Sequence, residues 1–169
     1  MILFETSRLM VRQWEESDLD QIFHLYSDPA VMQFIRATLS LEETNHILQS
    51  HLEHYKTYPF EGRFGVLEKS TGLFIGTFLL KPSEAVEGME IGYALLKAYW
   101  GQGLATELVR GGIAFAFTKA DIDELFAITQ LDNEASKNVL RKSGFRQLDN
   151  ILEHGREVNL FYLKQSPQQ

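Results

Sequence analysis

The 169-residue sequence contains no cysteine. That excludes disulfides, thiolate nucleophiles and cysteine metal sites, and it predicts a cytoplasmic address. No apolar run approaches the roughly 18 residues a membrane span needs. The N-terminus, MILFETSRLMVR, lacks a basic start and meets Glu5 and Arg8 at once, so it does not read as a secretory signal. Basic residues are outnumbered, 16 against 23 acidic, for a net charge of -7. With no clustered cationic run, a nucleic-acid partner is not expected. There is no internal repeat, low-complexity linker or shift in composition along the chain. The expectation is one domain over residues 1–165, with 166–169 as a frayed tail.

What is present is ordinary for a globular chain, 44% apolar and 23% charged. RLMVRQW (8–14) alternates apolar and polar residues as a half-buried strand does. Ser17 precedes a helix carrying Leu19, Ile22, Phe23 and Tyr26 on one face, stopped near Asp28-Pro29. Ser40 caps a second helix with Leu41, Leu48, Leu52 and Tyr55 inward. Strands at 63–68 and 74–81 form a hairpin through Ser70-Thr71-Gly72, and 87–96 is a third strand. A helix runs from Gly103 to about Lys119, a strand over 124–129, and a short helix from Asn133 to Ser143, ended by Gly144 and Phe145. Strands at 145–152 and 157–164 close the chain. The order β-α-α-β-β-β-α-β-α-β-β predicts an α/β fold with a mixed sheet and helices on both faces.

The most informative stretch is AYWGQGLATELVRGGIAFAF (98–117). Gly101 and Gly103 open a helix, although glycine inside a helix costs roughly 1 kcal/mol relative to alanine. A glycine-lined helix N-terminus gathers unpaired N–H groups and the positive end of the helix dipole, which suits phosphate. A tight turn without a ligand is the plainer reading. A P-loop would need a lysine that is absent. A dinucleotide fold would need a third glycine or alanine where Thr106 stands, and three antiparallel-looking strands precede the loop. The acyl-coenzyme A loop, Q/R-x-x-G-x-G/A, matches from Gly103 onward, with Trp100 in place of its usual first residue.

Three blocks in order, ETSRLMVRQWEESDLDQIFHLYSDPAVMQFI, MEIGYALLKAYWGQGLATE and DNEASKNVLRKSGF, resemble the GNAT N-acetyltransferases. Within them, the chain is similar to the ribosomal-protein N-terminal acetyltransferase branch. The resemblance spans nearly the whole chain and implies the GNAT fold. It also implies direct transfer of an acetyl group from acetyl-CoA to a primary amine, on a protein N-terminus or on a small amine such as an amino sugar or polyamine. A non-catalytic acyl-CoA-binding module is the alternative from another class. Many GNAT enzymes carry a tyrosine four residues before the Gly-Phe pair; that position is Leu140 here. For this branch a monomer or a homodimer is expected.

The chemistry needs a neutral amine, donors for the thioester oxygen and a partner for the leaving thiolate. Glu90, on the strand entering the glycine loop, is the candidate base, directly or through water. Strand alternation puts small Gly92 and Ala94 on its face, unless a β-bulge intervenes. A solvated strand glutamate is the plainer reading. Ser136 is the candidate acid or hydrogen-bond partner of the sulfur, although serines are common near helix starts. For acetyl-CoA, the amides of Gly101, Gln102, Gly103, Leu104, Ala105 and Thr106 would hold the pyrophosphate. By the resemblance, Leu95 and Leu96 would pair with pantetheine and polarise the thioester, and Asn133 would bind pantetheine amides besides capping its helix. Asn138 and Arg141 would meet the nucleotide end. Trp14, Tyr26, Phe34 and Phe60 would wall the acceptor pocket. His46, His51 and His54 lack a ligand pattern and read as polar-face residues, so no metal is expected.

Overall fold

A computed structural model describes residues 1–166. Nine strands form one sheet in the order β1-β2-β3-β4-β5-β6-β9-β7, with β8 also paired to β9. The strands are β1 (Ile2–Glu5), β2 (Leu9–Arg12), β3 (Gly62–Glu68), β4 (Phe74–Pro82), β5 (Met89–Leu95), β6 (Glu124–Gln130), β7 (Arg146–Gln147), β8 (Ile151–Glu153) and β9 (Arg156–Lys164). The helices are α1 (Leu19–Ser27), α2 (Pro29–Met32), α3 (Leu41–His54), α4 (Leu104–Thr118) and α5 (Glu134–Lys142).

The expected order holds, with three corrections. The first strand has a partner, β1, that sequence alternation did not reveal. Met1-Ile2-Leu3-Phe4 is continuously apolar, and Phe4 is anchored by rings far along the chain, 5.3 Å from Phe78 and 5.6 Å from Phe115. Second, Ser17 lies inside a 3-10 turn and is not the cap of α1; Glu15 and Asp18 form the capping box there. Asp28 ends α1 and then caps α2, accepting from Ala30 N at 2.8 Å. Third, the single strand expected over 145–152 divides into β7 and β8. Gln147 pairs with Phe161, but Ile151 pairs with Val158, so one extra residue is accommodated around the turn formers Asp149-Asn150. Ser40 does cap α3, through a reciprocal box with Glu43 at 3.2 and 2.7 Å. Leu41, expected inward, is exposed in the first turn, and Thr44 is buried instead.

Helices cover both faces of the sheet. α4 lies against Phe78 and Ile91: a side chain at Gly112 would meet them at 2.4 and 3.1 Å, so glycine permits the close approach. On the opposite face Trp14 sits over Gly65. It packs edge-on against Tyr26 of α1 and His51 of α3.

One discontinuity positions everything that follows. β4 and β5 pair antiparallel over seven residues, from Gly76–Leu95 to Pro82–Met89, without a register shift. β6 and β9 pair over seven more. Between these halves, β5 and β6 run parallel but pair only at Met89–Leu125 and Glu90–Phe126. Beyond Glu90 the two strands diverge, and the sheet opens.

Candidate active site

A cavity of about 890 Å³ occupies the opening. Its walls come from β5, β6, the start of α5, the loop after α2 and the turn between β8 and β9. Register fixes which side chains enter it. Arg63 faces Leu79 on the neighbouring strand, Leu79 faces Gly92, and Lys81 faces Glu90. These side chains share the α1 face. Ile91 and Tyr93 project to the α4 face and line the same cavity through the gap between the halves. Because the β4–β5 register is unbroken, Glu90, Gly92 and Ala94 share a face, as alternation predicted.

Glu90 is half-buried and accepts a hydrogen bond from Ser83 Oγ at 3.1 Å. Burial pushes its carboxyl above the usual range, against the pull of Lys81, the Ser83 hydroxyl and Arg63. Across the gap, Tyr93 Oη lies 3.2 Å from Ser136 Oγ. Burial raises the Tyr93 phenol as well, opposed by its bond to Ser136, so it stays protonated at neutral pH. Ser136 N donates to Asn133 Oδ1 at 3.2 Å, which makes Asn133 the cap of α5 and fixes the serine in the first turn. Ser136, Asn133 and Leu140 all line the cavity.

The glycine loop lies outside that cavity, past the end of β5. Gly101 and Gly103 adopt φ of +71° and +77°, and a Cβ at Gly101 would meet nothing within 4 Å. Glycine is therefore required by the left-handed backbone and not by crowding. Gly103 caps α4 without any side-chain partner, so the first-turn N–H groups of Leu104, Ala105 and Thr106 are left for an anion. Gln102 turns back, its amide donating to Ala98 O at 3.0 Å. Leu96 N donates to Ile75 O at 2.8 Å and is spent within the sheet. Alternation then turns the N–H of Leu95 the other way, toward the unpaired edge. Trp100 Nε1 donates to Leu95 O at 2.8 Å and ties the loop to the end of β5. Asn138 and Arg141 are exposed on α5 outside the cavity, and Arg141 donates to Gln147 Oε1 at 3.0 Å.

Arg8 is a contact that sequence reasoning missed. Its guanidinium donates to Gln102 O at 2.9 Å and to Glu107 Oε2 at 2.7 Å. Glu107 also accepts from Thr6 Oγ1 at 2.6 Å and Arg8 N at 2.8 Å. Burial opposes its ionisation, but these bonds hold the Glu107 carboxyl below the usual range. The acid in the first turn of α4 is thereby neutralised where an anion would arrive. Of the four aromatics expected around the acceptor, Tyr26 and Phe34 line the cavity. Trp14 is core, 2% exposed, and Phe60 packs on Phe115 at 5.6 Å. His51 is not simply polar-face: it packs on Trp14 at 5.0 Å.

A sheet split between a parallel pair, with a glycine-opened helix at the end of one arm, defines an acyl-CoA N-acyltransferase architecture. The model of the acetyltransferase (GNAT) domain matches residues 8–146, so the chain belongs to that family. It is 28% identical over 149 residues to an uncharacterised N-acetyltransferase, YoaA of Bacillus subtilis, covering 86% of this chain and 83% of that protein. RimL, a ribosomal L7/L12 α-N-protein acetyltransferase solved with coenzyme A, superposes with a TM-score of 0.81 at 19% identity, over 98% of both chains. A spermidine N-acetyltransferase of Vibrio cholerae, solved with CoA and spermine, superposes with a TM-score of 0.76 at 20% identity, over 96% of its length and 94% of this one. By its family the protein is an acetyl-CoA-dependent N-acetyltransferase. Among the described residues no helix is long and apolar enough to cross a membrane.

Proposed function

We propose that the protein acetylates a primary amine at the open β5–β6 junction, by direct transfer and with Glu90 as the base. The observation that carries this reading is the placement of Glu90 and the Tyr93–Ser136 pair on two walls of one cavity. Glu90 removes the proton from the attacking ammonium, directly or through a water. The neutral nitrogen forms the new N–C bond as the C–S bond breaks, and the nitrogen then gives up its second proton, which balances the one taken up by the departing sulfur. Leu95 N–H polarises the thioester carbonyl, and the electron pair of the broken bond leaves on sulfur. Ser136, oriented by the Tyr93 phenol, donates to that thiolate. Tyr93 supplies from the strand a phenol that Leu140 cannot supply from the helix. Gly101 to Thr106 hold the pyrophosphate, the edge of β5 at Leu95 pairs with pantetheine, and Asn133 assists there.

The amine is a protein N-terminus in this reading. Free α-amines ionise near 7.7–8.0 and lysine-type amines near 10.4, so a carboxylate base has far less to overcome with an α-amine. The RimL likeness supports the same class. The test is transfer from acetyl-CoA to three acceptors: a short peptide with a free N-terminus, the same peptide blocked there but carrying a lysine, and spermidine. Turnover of the first well above the other two is expected. A preference for spermidine or for the lysine side chain overturns the assignment.

A further inference from the structure

Resting on the reading that Glu90 receives the acceptor amine, we infer that the acceptor also carries an anionic oxygen group, and that Arg63 binds it. Arg63 is half-buried and lines the cavity. Its side chain has no ion pair or hydrogen bond among the described residues; Lys81 of the same lining is held by Glu84 at 2.6 Å, and the lining arginines Arg36 and Arg156, also without an ion pair, are exposed to solvent where Arg63 is half-buried. The backbone beneath Arg63 is fixed. Its carbonyl accepts from the Tyr55 hydroxyl, and Tyr55 stacks on the fully buried Phe64 at 5.4 Å. Arg63 is close enough to pull on Glu90, but a half-buried guanidinium on a rigid strand without a hydrogen-bonded carboxylate is unusual unless a ligand supplies one.

A second orphan sits behind the wall of the same cavity, its oxygen closed to solvent. Tyr26 is 4% exposed, and its hydroxyl has no partner among the described residues. A buried hydroxyl without a partner costs free energy that an incoming oxygen would recover. The guanidinium can only donate, so its missing partner is an acceptor, and the Tyr26 hydroxyl can donate to the same kind of atom. Arg63, Leu79 and Gly92 lie in one row across three strands, and Gly92 contributes no side chain. Two strand spacings, roughly 10 Å, separate the ends of that row. Glu90 lies two residues beyond Gly92 on the same face, so an amine at Glu90 and an acid at Arg63 are held by positions separated by slightly more than that span. The acceptor chemistry is therefore an amine joined to a carboxylate or phosphate, as in a peptide whose second residue is acidic or in a small amino acid phosphate.

Matched acceptor pairs test this: the peptide Ser-Glu-Ala against Ser-Gln-Ala, and O-phosphoethanolamine against ethanolamine. Wild type is expected to favour the anionic member of at least one pair by about tenfold or more in kcat/KM, mainly through KM. The responding pair names the source of the anion. In Arg63→Gln the ratio within that pair should collapse, and Arg63→Lys should restore part of it. The ratio is insensitive to a general loss of active protein. Equal rates within both pairs, or a preference that survives Arg63→Gln, overturns the inference. If no amine is turned over, calorimetry of the CoA-loaded protein with the same compounds decides. Binding of the anionic member that depends on Arg63 keeps the anion site while removing the acceptor reading; binding independent of Arg63 removes the site.

Discussion

The phenolic oxygen of Tyr93 lies 3.2 Å from the hydroxyl oxygen of Ser136, joining strand β5 to helix α5 across the mouth of the split sheet. Serine alone is a poor acid. A buried phenol hydrogen-bonded to it gives the pair an orientation and a proton reserve. Tyr93→Phe is expected to lower kcat by about tenfold to a hundredfold, within the range for positioned proton donors, with acetyl-CoA affinity little changed. Ser136→Ala should lose a similar factor, and the double variant little more, because the two act as a unit. Additive losses in the double variant would contradict the pairing. Pre-steady-state and steady-state rates for the four proteins provide the check.

Glu90 sets a trade between activity and stability. Its carboxyl is raised above the usual range by burial. A raised acid binds its proton more tightly in the folded state than in the unfolded state. Its contribution favours folding below the ordinary carboxylate range and is lost as pH rises through the raised value. Glu90→Gln should therefore melt at the same temperature as wild type or higher at pH 7, while losing activity. Thermal melts across pH 4 to 7 are the measurement. A fall in melting temperature at pH 7 would show that the charged form is stabilising.

His51 acts in the opposite sense. Burial first, then the charges of Arg63, His54 and Lys81, lower its imidazole to about 4. The unfolded chain takes up the proton near 6.5, so stability is lost as pH falls from about 6.5 toward 4. The full loss is on the order of 3 kcal/mol. Replacement by Gln, which has no proton to gain, should flatten the acid limb of a denaturant-midpoint profile. An unchanged limb would place the acid sensitivity elsewhere.

Arg8 and Glu107 tune the loop. With Arg8 replaced by Gln, Glu107 would stand unneutralised in the first turn of α4, the helix we propose holds the pyrophosphate. Acetyl-CoA affinity should fall several-fold, about the cost of one unfavourable charge near a helix terminus. Adding Glu107→Gln should recover most of it. Calorimetric titration of the three proteins at low and high salt checks both steps, and failure of the second change to rescue would remove the electrostatic explanation.

The glycine loop itself gives the sharpest structural test. Gly103 has φ of +77°, where a β-branched residue is strained. Gly103→Val should abolish micromolar acetyl-CoA binding by calorimetry. Retained binding would make the loop a turn only.

The sequence carried the order of the elements because local signals set them: Ser40 with Glu43, Asn133 ahead of α5, and the paired glycines at 101 and 103. It also carried the placement of Glu90, since unbroken alternation keeps Glu90, Gly92 and Ala94 on one face. Tyr93 escaped because the same alternation sends it to the opposite face, and only the splay of β5 from β6 admits both faces to one cavity. The Arg8–Glu107 pair and the lone Arg63 escaped for a different reason. They depend on what stands opposite them in space, 99 residues away in the first case. Leu96 was expected beside the thioester; its N–H is instead consumed by Ile75, which only strand register reveals.

The most direct test of the account is the pH dependence of kcat/KM for wild type and Glu90→Gln, with acetyl-CoA affinity measured on both. The account expects the wild-type rate to rise with pH through a carboxylate raised above the ordinary range. It expects Glu90→Gln to lose that limb and about a hundredfold or more in rate, with acetyl-CoA bound as before. A Glu90→Gln protein that keeps both the rate and the limb would show that Glu90 is not the base.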